Sequence, residues 1–170
     1  MPAVRDYRLG SFDVSGVRAC GKNIGRTVYW KLFAIENIMR IIIHSILNAQ
    51  IGQNWWPTAA DTTLQGKVRR YKGNYAAQPW HSSPGNHDIY YLDLADLNEI
   101  MRANSNLFLP LIPEIDQWVA RIEQVRLPRN IVAHMNWPHQ PDRSRIDVVY
   151  ADIQTLAIQL SSVLSLSIPQ

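Results

Sequence analysis

The stretch Thr27-Val-Tyr-Trp-Lys-Leu-Phe-Ala-Ile-Glu-Asn-Ile-Met-Arg-Ile-Ile-Ile-His-Ser-Ile-Leu-Asn48 decides the fold. Its apolar residues Leu32, Phe33, Ile35, Ile38, Met39, Ile42, Ile43 and Ile46 recur at spacings of three and four, the period of an α-helix. Glu36, Arg40 and His44 sit four residues apart and stack along the other face. Gly52 ends the segment. Downstream, a weaker helix is predicted over 61–70, with Asp61 or Thr62 as its cap. Residues 71–87 are rich in breakers and read as a loop of unusual length. A further helix covers 93–104, with Leu94, Leu97, Ile100 and Met101 on one side. After a short turn at 107–111, Pro113 opens a helix through Arg126, and Pro128 interrupts it. Two prolines mark a loop over 136–142, and the last helix runs over 144–166. Residues 1–27, with Gly10, Gly16, Gly21 and Gly25 between short apolar pieces, read as an irregular arm. Strand signals are few. The expected fold is an all-α antiparallel bundle of four to five helices over 28–170, preceded by that arm.

Composition agrees with one globular domain. The 170 residues are 46% hydrophobic and 18% charged, which excludes disorder along the whole chain. Cys20 is the single cysteine, so neither an intrachain disulfide nor a cysteine zinc site exists, and a reducing cytoplasmic setting is expected. The opening Met1-Pro-Ala-Val-Arg-Asp6 has no apolar run behind a basic stub, so no signal peptide is expected. Uninterrupted apolar stretches such as Ile41-Ile-Ile43 are far short of the roughly 20 residues of a membrane span.

Net charge is +3, and thirteen of the seventeen basic residues are arginine, whose planar fork matches phosphate. The field of +3 is weak, and a mildly basic soluble protein would carry it too. Lys67-Val-Arg-Arg-Tyr-Lys72 sets Lys67, Arg69, Arg70 and Lys72 around Tyr71. Such a cluster suits an RNA backbone with a stacking face, or else a helix C-terminus that favours cations. His81 and His87 have no cysteine or carboxylate cluster beside them, so no metal or cofactor is expected. Trp55, Trp56, Trp118 and Trp137 read as packing residues.

The segment Leu127-Pro-Arg-Asn-Ile-Val-Ala-His134 carries the chemistry. With Pro128 at a first helical position, Arg129 and Asn130 would occupy a first turn, where free N–H groups favour phosphate. His134 follows Arg129 by five residues, about 140° around an ideal helix, so the two converge only at a helix start or across a shared groove. The plain alternative is a surface arginine and a half-buried histidine.

The segment resembles the signature of the HEPN superfamily (higher eukaryote and prokaryote nucleotide-binding domains), small helical bundles with Arg-x4–6-His and often a polar residue after the arginine, here Asn130. Glu36-Asn-Ile-Met-Arg40 is similar to the acid-then-base pair of the family's first helix. Together with Trp55-Trp56 and Asp93-Leu-Ala-Asp-Leu-Asn-Glu-Ile100, these pieces resemble the branch found beside PIN-type nucleases of RNA surveillance, over about residues 28–165. The resemblance implies a metal-independent endoribonuclease leaving 2′,3′-cyclic phosphate and 5′-hydroxyl ends. His134 would be general base or acid, Arg129 would stabilise the phosphorane, and Asn130 would orient one of them. It also implies a homodimer with a composite cleft, action on RNA, and a toxin–antitoxin or antiviral defence setting with an inhibitory partner protein. Asn136 stands where one subgroup carries a tyrosine, so no modification target is expected there. The rival is a non-catalytic module of the same family that dimerises and binds RNA, nucleotide or a protein. Glu36, Arg40 and His44 are either lining of the cleft or a solvated stripe with one ion pair.

Overall fold

The structure, a computed structural model, describes residues 4–170 and contains no strand among them. After a 3₁₀ turn at Tyr7–Leu9, Asp13 caps helix α1 (Val14–Ile24), accepting hydrogen bonds from the backbone N–H groups of Ser15 and Gly16. A π-helical turn, Gly25–Tyr29, then leads without a break into α2 (Trp30–Ile51). The arm predicted as irregular is therefore helical from Val14; its residues 1–3 lie outside the described residues. Each interior glycine costs roughly 1 kcal/mol relative to alanine, but α1 grows from a helix already formed and avoids the cost of nucleation.

α2 ends at Gly52, whose φ of +113° is closed to side-chain-bearing residues. α3 (Trp56–Ala59) is one turn, and α4 (Thr62–Ala76) begins at Asp61, whose carboxylate accepts from Leu64 N–H at 2.8 Å. α4 continues six residues past Arg70, so Lys67–Lys72 lie mid-helix and the irregular connection shrinks to 77–87. A 3₁₀ turn at Asp88–Tyr91 precedes α5 (Leu94–Ala103), which opens with a reciprocal capping box between Asp93 and Asp96. α6 (Ser105–Phe108) is short; α7 (Ile115–Ala133) and α8 (Gln140–Ser161) complete the chain.

α2 packs against both α5 and α8, and α7 packs against the same two helices. From Met39 to Leu47 every α2 residue but Ile41 is buried. Ile35, Ile42, Ile43 and Ile46 have no exposure at all, each contributing roughly 1.5–3 kcal/mol of burial. The continuous helix Val14–Ile51 is long and apolar enough to cross a membrane, but half of its most apolar window is already buried inside the fold. The tail beyond α8 returns over α2: Ser167 N–H donates to Ser45 Oγ at 2.9 Å, and Tyr90 Oη donates to the Pro169 carbonyl at 3.0 Å.

His44 belongs to this interior. Its Nδ1 accepts from Trp55 Nε1 at 3.1 Å, and its ring meets that of His87 edge-on at 5.0 Å. His87 stacks on Trp55 and caps the 3₁₀ turn, its Nδ1 accepting from Ile89 N–H at 3.1 Å. Both rings are thus held neutral. Burial, with help from His44 and Lys72 and against Asp88, pushes the His87 pKa down to about 4; burial lowers that of His44 as well. The unfolded imidazole takes its proton near 6.5, so between that pH and about 4 the unfolded chain binds more protons and stability falls as pH falls. We expect a loss of about 2 kcal/mol from His87 across this window, allowing for its partial exposure. His87→Asn keeps a cap acceptor and removes the titration; thermal melts at pH 7 and pH 4.5 should then differ less than in the parent protein.

Candidate functional site

α7 does not stop at Pro128. Ile115, Val119, Ile122, Val125, Pro128 and Val132 are all buried on one face of it. That continuous stripe outweighs the roughly 3 kcal/mol that an interior proline costs. Arg129 and Asn130 therefore sit toward the C-terminal end of a helix, not in its first turn, and the free N–H cradle expected there does not exist.

The helix closes in a Schellman motif. Asn136 N–H donates to the Ile131 carbonyl at 2.9 Å and Met135 N–H to the Val132 carbonyl at 2.9 Å, with His134 as the C-cap. Met135 takes the left-handed position, φ 59°, normally filled by glycine, and its side chain is 83% exposed.

Arg129 reaches from this end toward α2. Its Nε donates to Glu36 Oε2 at 3.3 Å, while Arg40 Nη2 donates both to Glu36 Oε1 and to the Leu92 carbonyl, the latter at 2.7 Å. Two guanidinium groups thus share one carboxylate, and the Asp93 carboxylate lies close enough to Arg129 to feel its charge. They border a cleft of about 600 Å³ walled by Phe33, Pro84 and Tyr90, with Met135 at one end. The cleft continues past Arg129 into a space of about 360 Å³ reaching Tyr71, Tyr75 and Tyr91. Gly85 is required here by close approach: a Cβ would lie 2.5 Å from the Tyr90 ring.

No family profile, curated protein or solved structure matches the chain. Chemically, the arrangement can hold an anion against the guanidinium pair and stack a planar group on tyrosine. Among the described residues, no group of three metal-ligating side chains converges.

The structure therefore brings together Glu36, Arg40 and Arg129, with Tyr71 farther along. Asn130 borders a small recess on the other side of Arg129, against Asp93. His134 is exposed beside Met135, outside the lining of the cleft of its own chain. His44, two turns past Glu36, is a core residue rather than cleft lining. Lys67 is held by Asp96, at 2.7 and 2.6 Å, and Lys72 by Asp88 at 2.8 Å. Burial alone would lower the Lys67 pKa, but Asp96 and Asp93 outweigh it and hold the ammonium above its usual range. Asp93 is held low in turn: burial raises it, and backbone N–H donation with the charges of Lys67 and Arg129 overcomes that. Arg69 forms no ion pair among the described residues, and the Arg70 guanidinium lies 5.4 Å from the centre of the Tyr71 ring. Tyr75, Pro84 and Tyr90 were not singled out from sequence; a cluster of tyrosines flanking the breaker-rich segment is the one signal that pointed to them.

Glu36→Gln should lower stability by about 1–2 kcal/mol, since both arginines lose a charged acceptor. The variant should also gain more thermal stabilisation from added pyrophosphate than the parent, because the local positive charge rises. Met135→Gly should raise stability by roughly 0.5–1 kcal/mol by relieving the left-handed backbone, measured by denaturant unfolding.

Proposed function

We propose that the protein is a metal-independent endoribonuclease of HEPN type, acting on RNA as a homodimer through Arg129 and His134. The supporting observation is the cleft in which Arg129 and Arg40 share the single carboxylate of Glu36 beside a wall of tyrosine, a setting suited to a phosphate with its nucleobase. In this proposal the long helices α2, α5, α7 and α8 form the antiparallel bundle of the HEPN domain over 28–170, extended by α1. Lys67, Arg69, Arg70, Tyr71 and Lys72 contribute mainly through Tyr71 and the two arginines, the lysines being paired.

The reaction needs no metal. The 2′-hydroxyl attacks phosphorus, the bond to the 5′-oxygen breaks, and a cyclic phosphate and a 5′-hydroxyl result. One histidine takes the 2′ proton and another protonates the leaving oxygen. Arg129 stabilises the phosphorane charge and Asn130 orients a neighbour. Each protomer has one His134 outside its own cleft, so His134 of the partner subunit is needed to complete the site. Exposed apolar residues offer a dimer surface at that rim: Phe33 at 61% and Met135 at 83%. A second, mostly apolar cleft of about 580 Å³, lined by Val17, Ile24, Tyr29, Val132 and Trp137, opens beside them. A toxin or defence role in the cytoplasm, restrained by an inhibitory partner protein, completes the proposal.

The position of His134 outside its own cleft also favours a second reading, a binding module of the same type without catalysis. Incubating purified protein with total RNA and tRNA in EDTA separates them. The enzyme yields cyclic-phosphate ends, and Arg129→Ala and His134→Ala each lower the rate by about 100-fold or more. Cutting that persists in both folded variants excludes these residues as catalytic; a folded dimer that retains RNA uncut is the binding module.

A further inference from the structure

The far end of the cleft has a chemistry of its own. Tyr71, Asn74, Tyr75 and Gln78 follow the i, i+3, i+4, i+7 pattern, so they fall on one side of α4 and its end. With His81 they surround a groove of about 280 Å³. Tyr71 and Tyr75 also border the space around Arg129, so groove and cleft form one trench. Tyr75 meets Tyr91 edge-on, centroids 6.0 Å apart, and is 39% exposed. The side-chain amides of Asn74 and Gln78 form no hydrogen bond among the described residues, and each retains two donors and an acceptor. Just beyond, Trp80 is 75% exposed with its ring 6.0 Å from that of His81. A part-exposed tyrosine that shares the groove with two unengaged amides and also borders the space around Arg129, with an exposed tryptophan beside the His81 of that groove, matches the needs of an unstacked nucleobase next to its phosphate.

We propose that this end of the trench is a nucleobase subsite for single-stranded RNA: Tyr75 and Trp80 give stacking planes, and Asn74 and Gln78 read the edge of the base beside the phosphate at Arg129. The proposal rests on RNA being the ligand of the arginine cleft and names what selects it. Duplex RNA is excluded, since its bases are already stacked and their edges paired. The residues involved carry no core packing, so they set affinity and base preference without holding the fold together.

The test measures binding to the full-length His134→Ala protein, which does not cut its ligand. The probes are a fluorescent single-stranded RNA hexamer of mixed sequence, the same sequence as a duplex, and adenosine 5′-monophosphate. The hexamer should bind about tenfold or more tighter than either other probe. Adding Tyr75→Ala should weaken it about tenfold, Tyr75→Phe should restore it, and Asn74→Ala with Gln78→Ala should flatten differences among hexamers of single base composition. Unchanged hexamer binding in folded Tyr75→Ala and Trp80→Ala proteins, with Arg129→Ala still weakening it, overturns the subsite and leaves the cleft standing. Mononucleotide binding as tight as the hexamer overturns the RNA track in favour of a nucleotide site. No RNA binding at low salt overturns both the subsite and the RNA reading beneath it.

Discussion

The burial of α2 is the constraint on which the rest depends. A helix apolar on nearly every side from Met39 to Leu47 is stable only when covered all round, and α5, α8, the His87 turn and the C-terminal tail supply that cover. The same helix leaves the core at its N-terminal half, where Phe33, Glu36 and Asn37 become a cleft wall. Arg40 stands at the transition: its residue is 8% exposed, and its two terminal guanidinium nitrogens donate to Asn37, Glu36 and the Leu92 carbonyl while its buried Nε has no partner. The cleft is thus built on a helix anchored in the core by its buried half, which holds its charged groups in place before any ligand arrives.

Electrostatics in that cleft come from side chains rather than from a helix end. Because α7 continues through Pro128, Arg129 lies inside the helix, just before its last turn, and extends to the Glu36 carboxylate of another. Glu36 orients both guanidinium groups without cancelling them. An anion would displace none of the packing, and would meet donors already aimed and partly freed from water. At the exposed turn that closes α7, Met135 borders one end of the cleft while His134 lies outside its lining. The strain at Met135 persists because the Schellman bonds hold the backbone on both sides.

The helical period of residues 27–48, the cap at Asp61, the opening of α5 at Asp93 and the stop at Gly52 were all legible in the sequence, because each depends on neighbours within one or two turns. The proximity of Glu36 and Arg40 was equally local. What misled were residues whose local preference lost to packing. Gly16, Gly21 and Gly25 read as breakers, yet α1 extends a helix already nucleated; Pro128 read as a boundary, yet an unbroken buried stripe carried α7 through it. His44 shared a face with Glu36 and Arg40 by spacing, but Trp55 and His87 close over that part of the face.

By itself, then, the chain determined that it would be helical, where α2 stops and where α4 and α5 begin, and which side chains bear charge or can titrate, since these follow from residue type and short-range geometry. The tertiary structure decided which of them meet. Arg129 lies ninety-three positions from Glu36, and Tyr71 thirty-five from that glutamate. Only the packing of α5 and α8 against both α2 and α7, and of α4 against the Asp88–Tyr91 turn, sets those distances, and it does so through burial that no local window contains.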